Sequence, residues 1–427
     1  MNMTELKKYI ESGKLDEKLV LLYGEKSLDA QRKRWMGAVD GFIATYGDLE
    51  GVRAFSVPGR TEVSGNHTDH NCGKVLAASV DLDIIAIVTP CDGVIELKSE
   101  GFDKNEVDLG NIAPGVYPNF SSTALLAGVY DGFVKAGHPV GGFKAYTTNS
   151  VLKGSGLSSS AAFEDMVGNI LNHFYNDGAV DNVDVAKMAQ YAENVFFGKP
   201  CGLMDQTACA VGGFIAIDFE DPKNPIVNKI SFDLAGEGYA LCIVNTGGNH
   251  ADLNDDYASI PYEMKSVAAH FGKTHLRGIT KEELIAAAPE LRKTTGDRAL
   301  MRAFHFVCEN ERVEGLSKAL DEGNLEAFFA GIKASGNSSY KYLQNVFTVK
   351  NVSEQGISLA TMFAENFLAS CTRPCACRVH GGGFAGTIQA FVPTENAADF
   401  EAYMNGIFGD GACHILRIRG EGAYTLV

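Results

Sequence analysis

Residues 59 to 71 read GRTEVSGNHTDHN and bring Arg60, Glu62, His67, Asp69 and His70 into thirteen positions, broken by Gly59 and Gly65. Charge at this density suits either the floor of an active site or a solvated surface loop. A second stretch, KGSGLSSSAA from Lys153 to Ala162, has a more specific chemistry. Gly154 and Gly156 let the backbone bend so that successive N–H groups point into one concavity. The helix that follows presents its N-terminal end there, and its free N–H groups and dipole favour an anion. Ser158, Ser159 and Ser160 add hydroxyls suited to phosphate oxygens or a magnesium ion. The same composition also suits a plain helix cap after a flexible turn. The GxxxxGK[ST] phosphate loop and the dinucleotide fingerprint are both absent.

The elements that must hold these stretches follow from periodicity. Leu6, Ile10, Leu19, Leu21, Leu22, Trp35, Val39, Phe42 and Ile43 recur at helical intervals, so residues 4–50 read as helical. GVRAFSVPG and GKVLAASVDLDIIAIVTP have the β-branched content of strands. STALLAGVYDGFVKAG reads as a helix capped by Ser122 or Thr123 and stopped by Gly137. Ala162, Met166, Ile170 and Phe174 repeat every four positions, which makes the segment after the serines a buried helix. VDVAKMAQYAENVFFG is a further helix, closed by Gly198. The pattern is then strand-rich to about residue 240 and helical from about 257 to 345. The last residues read as a helix (GISLATMFAENFLAS), a strand (CRVHGGGFAGTIQAFVP), a helix (AADFEAYMNGIFG) and a strand (CHILRIRG). Strands mixed with helices, without strict βαβ alternation, indicate an α+β protein. The expected division is a helical N-terminal extension at 1–50, one domain at 51–225 and a second at 226–427.

Composition narrows the partners. The chain has 427 residues, 45% hydrophobic and 21% charged, enough for a substantial core. A formal net charge of −16 argues against a nucleic-acid partner, though not against a phosphorylated small molecule in a locally positive site. No stretch approaches the ~20 apolar residues of a membrane span, and the polar N-terminus lacks an apolar leader run. The ten cysteines are scattered, and the spacing of Cys371, Cys375 and Cys377 matches no zinc pattern. They read as reduced thiols of a cytoplasmic protein.

Three distant segments, PGRTEVSGNHTDHNCGKVL, GSGLSSSAA and VHGGGFAGTIQ, occur in this order and resemble the three motifs of the GHMP kinases. The first resembles the galactokinase signature, which usually reads close to G-R-V-N-L-I-G-E-H-T-D-Y-N. AENVFFGKPCGLMDQ (192–206) and, more weakly, NHADLNDDYASI (249–260) are also similar to galactokinases. The resemblance spans roughly residues 55–260 and 375–427. It implies a two-domain fold: an N-terminal domain like the second domain of ribosomal protein S5, a C-terminal α+β (ferredoxin-like) domain, and an active site between them.

The implied reaction is phosphoryl transfer from ATP to the anomeric hydroxyl of galactose or a closely related aldose, with Mg2+ as cofactor. By resemblance, Asp205 and Arg60 are the catalytic pair, and Ser160 and Glu193 hold magnesium. Asn66, His67, Asp69, Gly202, Asp205 and Tyr257 fall on sugar-binding positions. Gly154, Ser155, Gly156, Leu157, Ser158, Ser159 and Ser160, with Gly381, Gly382 and Gly383 of the third motif, fall on ATP-binding positions.

The match has local departures. Asn66 stands where the family has Glu, a sugar ligand, so the sugar site is expected to lose a negative charge and an obligate acceptor. Thr61, Glu62, Val63 and Ser64 replace V-N-L-I, His70 replaces Tyr, and Leu152 replaces Pro. The phosphate and magnesium machinery is thus better preserved than the sugar site. Two alternatives stay open beside galactose: a different sugar such as an N-acetylhexosamine or arabinose, or a galactokinase-like sensor that binds sugar and ATP without turnover.

Overall fold

The structure, a computed structural model, describes residues 1–152, 154–248 and 253–427. Lys153 of the glycine–serine loop and residues 249–252 of the weaker galactokinase-like segment lie outside the described residues. The chain opens with α1 (Met3–Glu11), α2 (Asp16–Tyr23) and α3 (Leu28–Tyr46), followed by β1 (Arg53–Ser64), β2 (Lys74–Cys91), β3 (Val94–Ser99) and β4 (Lys104–Asp108). Next come α4 (Ser122–Lys135), β5 (Gly142–Asn149), α5 (Ser159–Tyr175), α6 (Asn182–Tyr191), a π-helical turn at Ala192–Phe197, α7 (Met204–Val211), β6 (Phe214–Asp218) and β7 (Ile226–Ile230). The remainder holds β8 (Tyr239–Asn245), α8 (Asn254–His270), α9 (Lys281–Thr294), α10 (Asp297–Asp321), α11 (Leu325–Ser338), a π turn at Ser339–Leu343, α12 (Gly356–Leu368), β9 (Ala376–His380), β10 (Thr387–Pro393), α13 (Thr394–Phe408), β11 (Cys413–Leu416) and β12 (Tyr424–Thr425).

Among the described residues the strands form an eight-stranded sheet in the order β12-β1-β2-β5-β3-β4, with β6 and β7 attached along the start of β2, and a four-stranded sheet in the order β11-β8-β10-β9. Only β3 and β5 run parallel; the other described pairs are antiparallel. Strand alternation gives the larger sheet two apolar faces. Phe55, Ile84, Ala86 and Val88 point to the core shared with α4, α5 and α6. Ala54, Ile85 and Ile87 point the other way, onto Leu6, Ile10, Leu19, Trp35 and Phe42 of the N-terminal helices. The extension therefore covers a sheet face that would otherwise meet water. α1 starts on a capping box between Asn2 and Glu5.

A buried ionic cluster ties that extension down. Asp83 is fully buried; it accepts from Arg34 Nη1 at 2.6 Å and Tyr23 Oη at 2.5 Å on one side, and from Arg419 Nη1 at 3.2 Å and Ser56 Oγ on the other. Burial alone would raise its carboxyl, but the two guanidiniums and these hydrogen bonds hold it below the usual carboxylate value.

Three local expectations change. The α4 cap is Ser121, not Ser122 or Thr123: its backbone is extended and its side chain accepts from Ala124 N. CRVHGGGFAGTIQAFVP is a hairpin, because β9 and β10 pair around the glycine turn from His380↔Thr387 onward. The chain does not leave the first sheet at residue 225, since β7 pairs with β6, and β12 returns to β1 from the far terminus.

The two sheets meet at the end of β1. Gln389 of β10 accepts from Thr61 Oγ1 at 2.9 Å and donates to the Glu62 carbonyl at 2.6 Å. Glu309 of α10 accepts from Ser64 Oγ at 2.8 Å and from Gly65 N at 3.1 Å. The first-motif turn, the glycine–serine loop and the β9–β10 turn thus converge on one junction.

Candidate active site

β1 breaks register with β2 between Pro58 and Arg60, a device that re-aims side chains. Gly59 makes this possible: a Cβ there would lie 2.7 Å from the Leu157 carbonyl. The strand thus presses against the glycine–serine loop, with Arg60 N donating to Leu157 O at 3.0 Å and Arg60 Nη1 to the Gly156 carbonyl. The rest of the guanidinium grips Asp205, Nε to Oδ1 at 2.8 Å and Nη2 to Oδ2 at 2.7 Å. Ser158 Oγ also donates to Asp205 Oδ2. Ser158 sits at the start of α5 with φ +56°, a left-handed conformation that costs a non-glycine residue energy. Water loss around Asp205 would raise its carboxyl, but Arg60 and Ser158 outweigh this and hold it below its usual value. About a third of its side chain, 35%, stays accessible.

The loop itself is held from both sides. Ser155 Oγ donates to Leu152 O at 2.8 Å, Thr387 Oγ1 donates to Ser155 O at 3.1 Å, and His380 Nδ1 meets Thr387 Oγ1 at 3.0 Å. Leu157 is buried, Gly154 is exposed with φ +72°, and Ser159 Oγ accepts from Asn149 Nδ2 at 3.0 Å. Ser159 and Ser160 open into a cavity of about 820 Å³ that is also lined by Phe102, Phe120, Asn149 and Phe197.

Glu193 lies in the π turn, a motif that often marks functional positions. Its Oε1 meets Lys199 Nζ at 2.9 Å and its Oε2 accepts from Gln206 Nε2 at 2.9 Å. The same amide reaches Glu164 Oε2 at 3.0 Å. Glu164 is one turn of α5 beyond Ser160 and so shares its face. Burial and the charge of Glu193 raise the Glu164 carboxyl well above its usual value.

On the opposite side, the first-motif turn and the third motif clasp each other. Asn66 Nδ2 donates to Gly381 O at 2.7 Å and to Glu62 Oε2 at 3.1 Å, while Asn66 Oδ1 accepts from Asn345 Nδ2. Every hydrogen-bonding group of the Asn66 amide therefore has a protein partner. His67 Nε2 meets Gly382 O at 2.8 Å and Tyr257 Oη donates to Gly383 O at 2.8 Å. A carbonyl only accepts, so His67 carries its proton on Nε2. Its Nδ1 then accepts from His70 Nε2 at 3.4 Å, and His70 Nδ1 accepts from Asn71 Nδ2 at 2.9 Å. Burial and the neighbouring His70 push His67 down to about 3, so it is neutral. Asp69 is half-buried against Gly202, where a Cβ would come within 2.4 Å of Asp69 Oδ2.

Sequence reasoning did not single out Lys199, Gln206, Glu164, Asn345 or Phe102, Phe120, Phe163 and Phe197 of the cavity. Lys199 and Gln206 lie in the quoted AENVFFGKPCGLMDQ, beside Glu193 and Asp205. Nothing in the sequence marks Asn345, which reaches the clasp only through the fold.

Two family models match the chain: "GHMP kinases N terminal domain" over residues 124–213 and "Galactokinase galactose-binding signature" over residues 40–90. Galactokinase of Streptomyces coelicolor is 33% identical over 358 residues, covering 82% of this chain and 87% of the relative. Galactokinase of Mycobacterium tuberculosis is 28% identical, covering 81% and 90%. Among solved structures, Lactococcus lactis galactokinase complexed with galactose superposes with a TM-score of 0.75 at 24% identity, covering 90% of this chain and 98% of that one. Methanococcus jannaschii mevalonate kinase gives 0.57 at 15%, covering 86% and 98%. With motifs, fold and relatives in agreement, the chain belongs to the galactokinase family of the GHMP kinases.

Proposed function

We propose that this protein transfers the γ-phosphoryl group of ATP to the anomeric hydroxyl of galactose. The observation that carries the reading is the two-pronged Arg60–Asp205 pair locked to Ser158 of the glycine–serine loop. The named relatives supply galactose as the sugar.

In this reading the phosphates rest on the backbone N–H groups of residues 154–158 and on the N-terminus of α5. The adenine base occupies the cavity among Phe102, Phe120 and Phe197, where ring faces suit a planar heterocycle. The sugar lies between Asp205 and the group His67, Asp69, Gly202 and Tyr257. Asp205, ionised beside Arg60, receives or orients the proton of the anomeric hydroxyl. That oxygen bonds to the γ-phosphorus as the bond to the β–γ bridging oxygen breaks, and ADP leaves. Arg60 offsets charge on the transferring group while keeping Asp205 anionic.

A magnesium ion fits the residues present. Ser160 and Glu193 are its protein ligands in this reading, and the surplus of carboxylates at Glu164, Glu193 and Asp205 favours a cation. Magnesium takes few protein ligands and is held mostly by phosphates and water. The ion would supply neutralisation of phosphate charge.

The test is ADP release with ATP, magnesium and a panel containing galactose, glucose, arabinose and N-acetylgalactosamine. Galactose is expected to give the highest kcat/KM. ADP release no faster with galactose than without sugar would overturn the reading.

A further inference from the structure

The departures in the first motif pair up. The family signature places Asn at the position of Glu62 and Glu at the position of Asn66; this chain has the acid first and the amide second. The two side chains are in contact, Asn66 Nδ2 donating to Glu62 Oε2 at 3.1 Å, with Oε1 at 3.4 Å. Two polar residues that each look foreign to their positions thus form one interacting pair. We propose that the acid and the amide of the sugar site have exchanged places, with Glu62 the sugar-recognising carboxylate and Asn66 the residue that positions it.

Three further observations support this. First, Glu62 is two residues along β1 from Arg60, which puts both side chains on one face about 7 Å apart along the strand. It thus stands between Arg60, at the phosphoryl end, and the turn that carries Asn66, His67 and Asp69. Second, Asn66 has no group to spare for a sugar, since its amide is consumed by Glu62, the Gly381 carbonyl and Asn345. An acceptor for a sugar hydroxyl must come from elsewhere, and Glu62 is the side chain its amide holds. Third, the only protein hydrogen bonds recorded to the Glu62 carboxylate among the described residues come from Asn66. A carboxylate has about four acceptor sites, so it retains capacity for hydroxyl donors. The charges that face it are Arg60 from its own strand, Asp69 from the turn and Arg378 from β9. The sugar site therefore keeps its carboxylate, moved from the turn to the strand.

This inference rests on the sugar-kinase reading above, and the experiment separates the two. Steady-state constants for galactose and for ATP are measured for the wild-type enzyme, Glu62→Asn, Glu62→Gln, Asn66→Glu and the double variant Glu62→Asn/Asn66→Glu. ATP-analogue binding and thermal midpoint report folding. Loss of the buried acid is expected to raise the galactose KM about tenfold or more in Glu62→Asn and in the volume-preserving Glu62→Gln. The ATP KM should stay within about twofold. Asn66→Glu alone sets two carboxylates together and should also raise the galactose KM, whereas the double variant, with the family order restored, should regain most of it. A galactose KM that is unchanged in both folded Glu62 variants, or losses that simply multiply in the double variant, would overturn the exchange. Absence of galactose phosphorylation by the wild-type enzyme would instead sink the reading of the previous subsection.

Discussion

Arg60 and Asp205 are 145 positions apart in sequence and meet through two parallel contacts, Nε to Oδ1 at 2.8 Å and Nη2 to Oδ2 at 2.7 Å. The pair unites the first motif on β1 with the start of α7, and the third prong of the guanidinium reaches the Gly156 carbonyl of the glycine–serine loop. One side chain thus fixes the glycine–serine loop and the Asp205 carboxylate relative to each other.

That geometry requires a fork. A lysine carries the same charge on one atom and cannot span both oxygens and the Gly156 carbonyl. Arg60→Lys is expected to lower kcat by about a hundredfold while the thermal midpoint stays within a few degrees. Turnover near the wild-type rate would mean that the charge alone suffices.

Gly202 tests the sugar side independently. A methyl group there would press on Asp69 Oδ2 from 2.4 Å. Gly202→Ala is expected to raise the galactose KM severalfold and leave the ATP KM alone, as steady-state kinetics would read. An equal effect on both would place Gly202 outside the sugar site.

Glu62 gives a pH signature. Burial is the main cause, and together with Asp69 it outweighs Arg378, Arg60 and Asn66 to push its carboxyl up to about 7 from 4.5. The folded chain therefore keeps a proton that the unfolded chain releases between these values. The resulting cost is absent below about pH 4.5, grows as pH rises and is complete above about pH 7. Glu62→Gln removes it, so the variant should gain stability relative to wild type by roughly 3 kcal/mol between pH 4.5 and 7.5. Denaturant midpoints across this range check the sign; a gap between the two proteins that does not change with pH contradicts it.

The N-terminal extension makes a stability prediction. Asp83→Ala would leave Arg34 and Arg419 facing a buried void without their shared carboxylate. The expected loss is about 3–5 kcal/mol, seen as a lower thermal midpoint. A loss under about 1 kcal/mol would show that the helices are held by apolar contact alone.

Much of this was legible in the sequence, for identifiable reasons. Helices 4–50 announced themselves by periodicity, and the glycine–serine loop by backbone chemistry that needs no partner. What periodicity could not supply was the second surface: which face of the sheet Trp35 and Phe42 cover, or that Tyr424 returns to pair with Ser56. The same limit governed the site. Arg60, Asp205, His67 and Asp69 stand out in the sequence because the motifs are local strings. Asn345 was missed because its contacts with Asn66 and Gly382 are made across the fold. In the sequence Glu62 is one of four replacements of V-N-L-I, and Asn66 stands in place of an acid. Only their 3.1 Å contact joins the two departures into one.

Phosphoryl transfer to the anomeric oxygen through Asp205 is best tested by following ATP, magnesium and galactose with phosphorus NMR, for the wild-type enzyme and for Asp205→Asn. The expected result is one new phosphate resonance coupled to the proton on C1 of the sugar. In Asp205→Asn it should form at least about a hundredfold more slowly, with ATP-analogue affinity retained. Phosphate attached at another carbon, release of inorganic phosphate alone, or an undiminished rate in Asp205→Asn would contradict it.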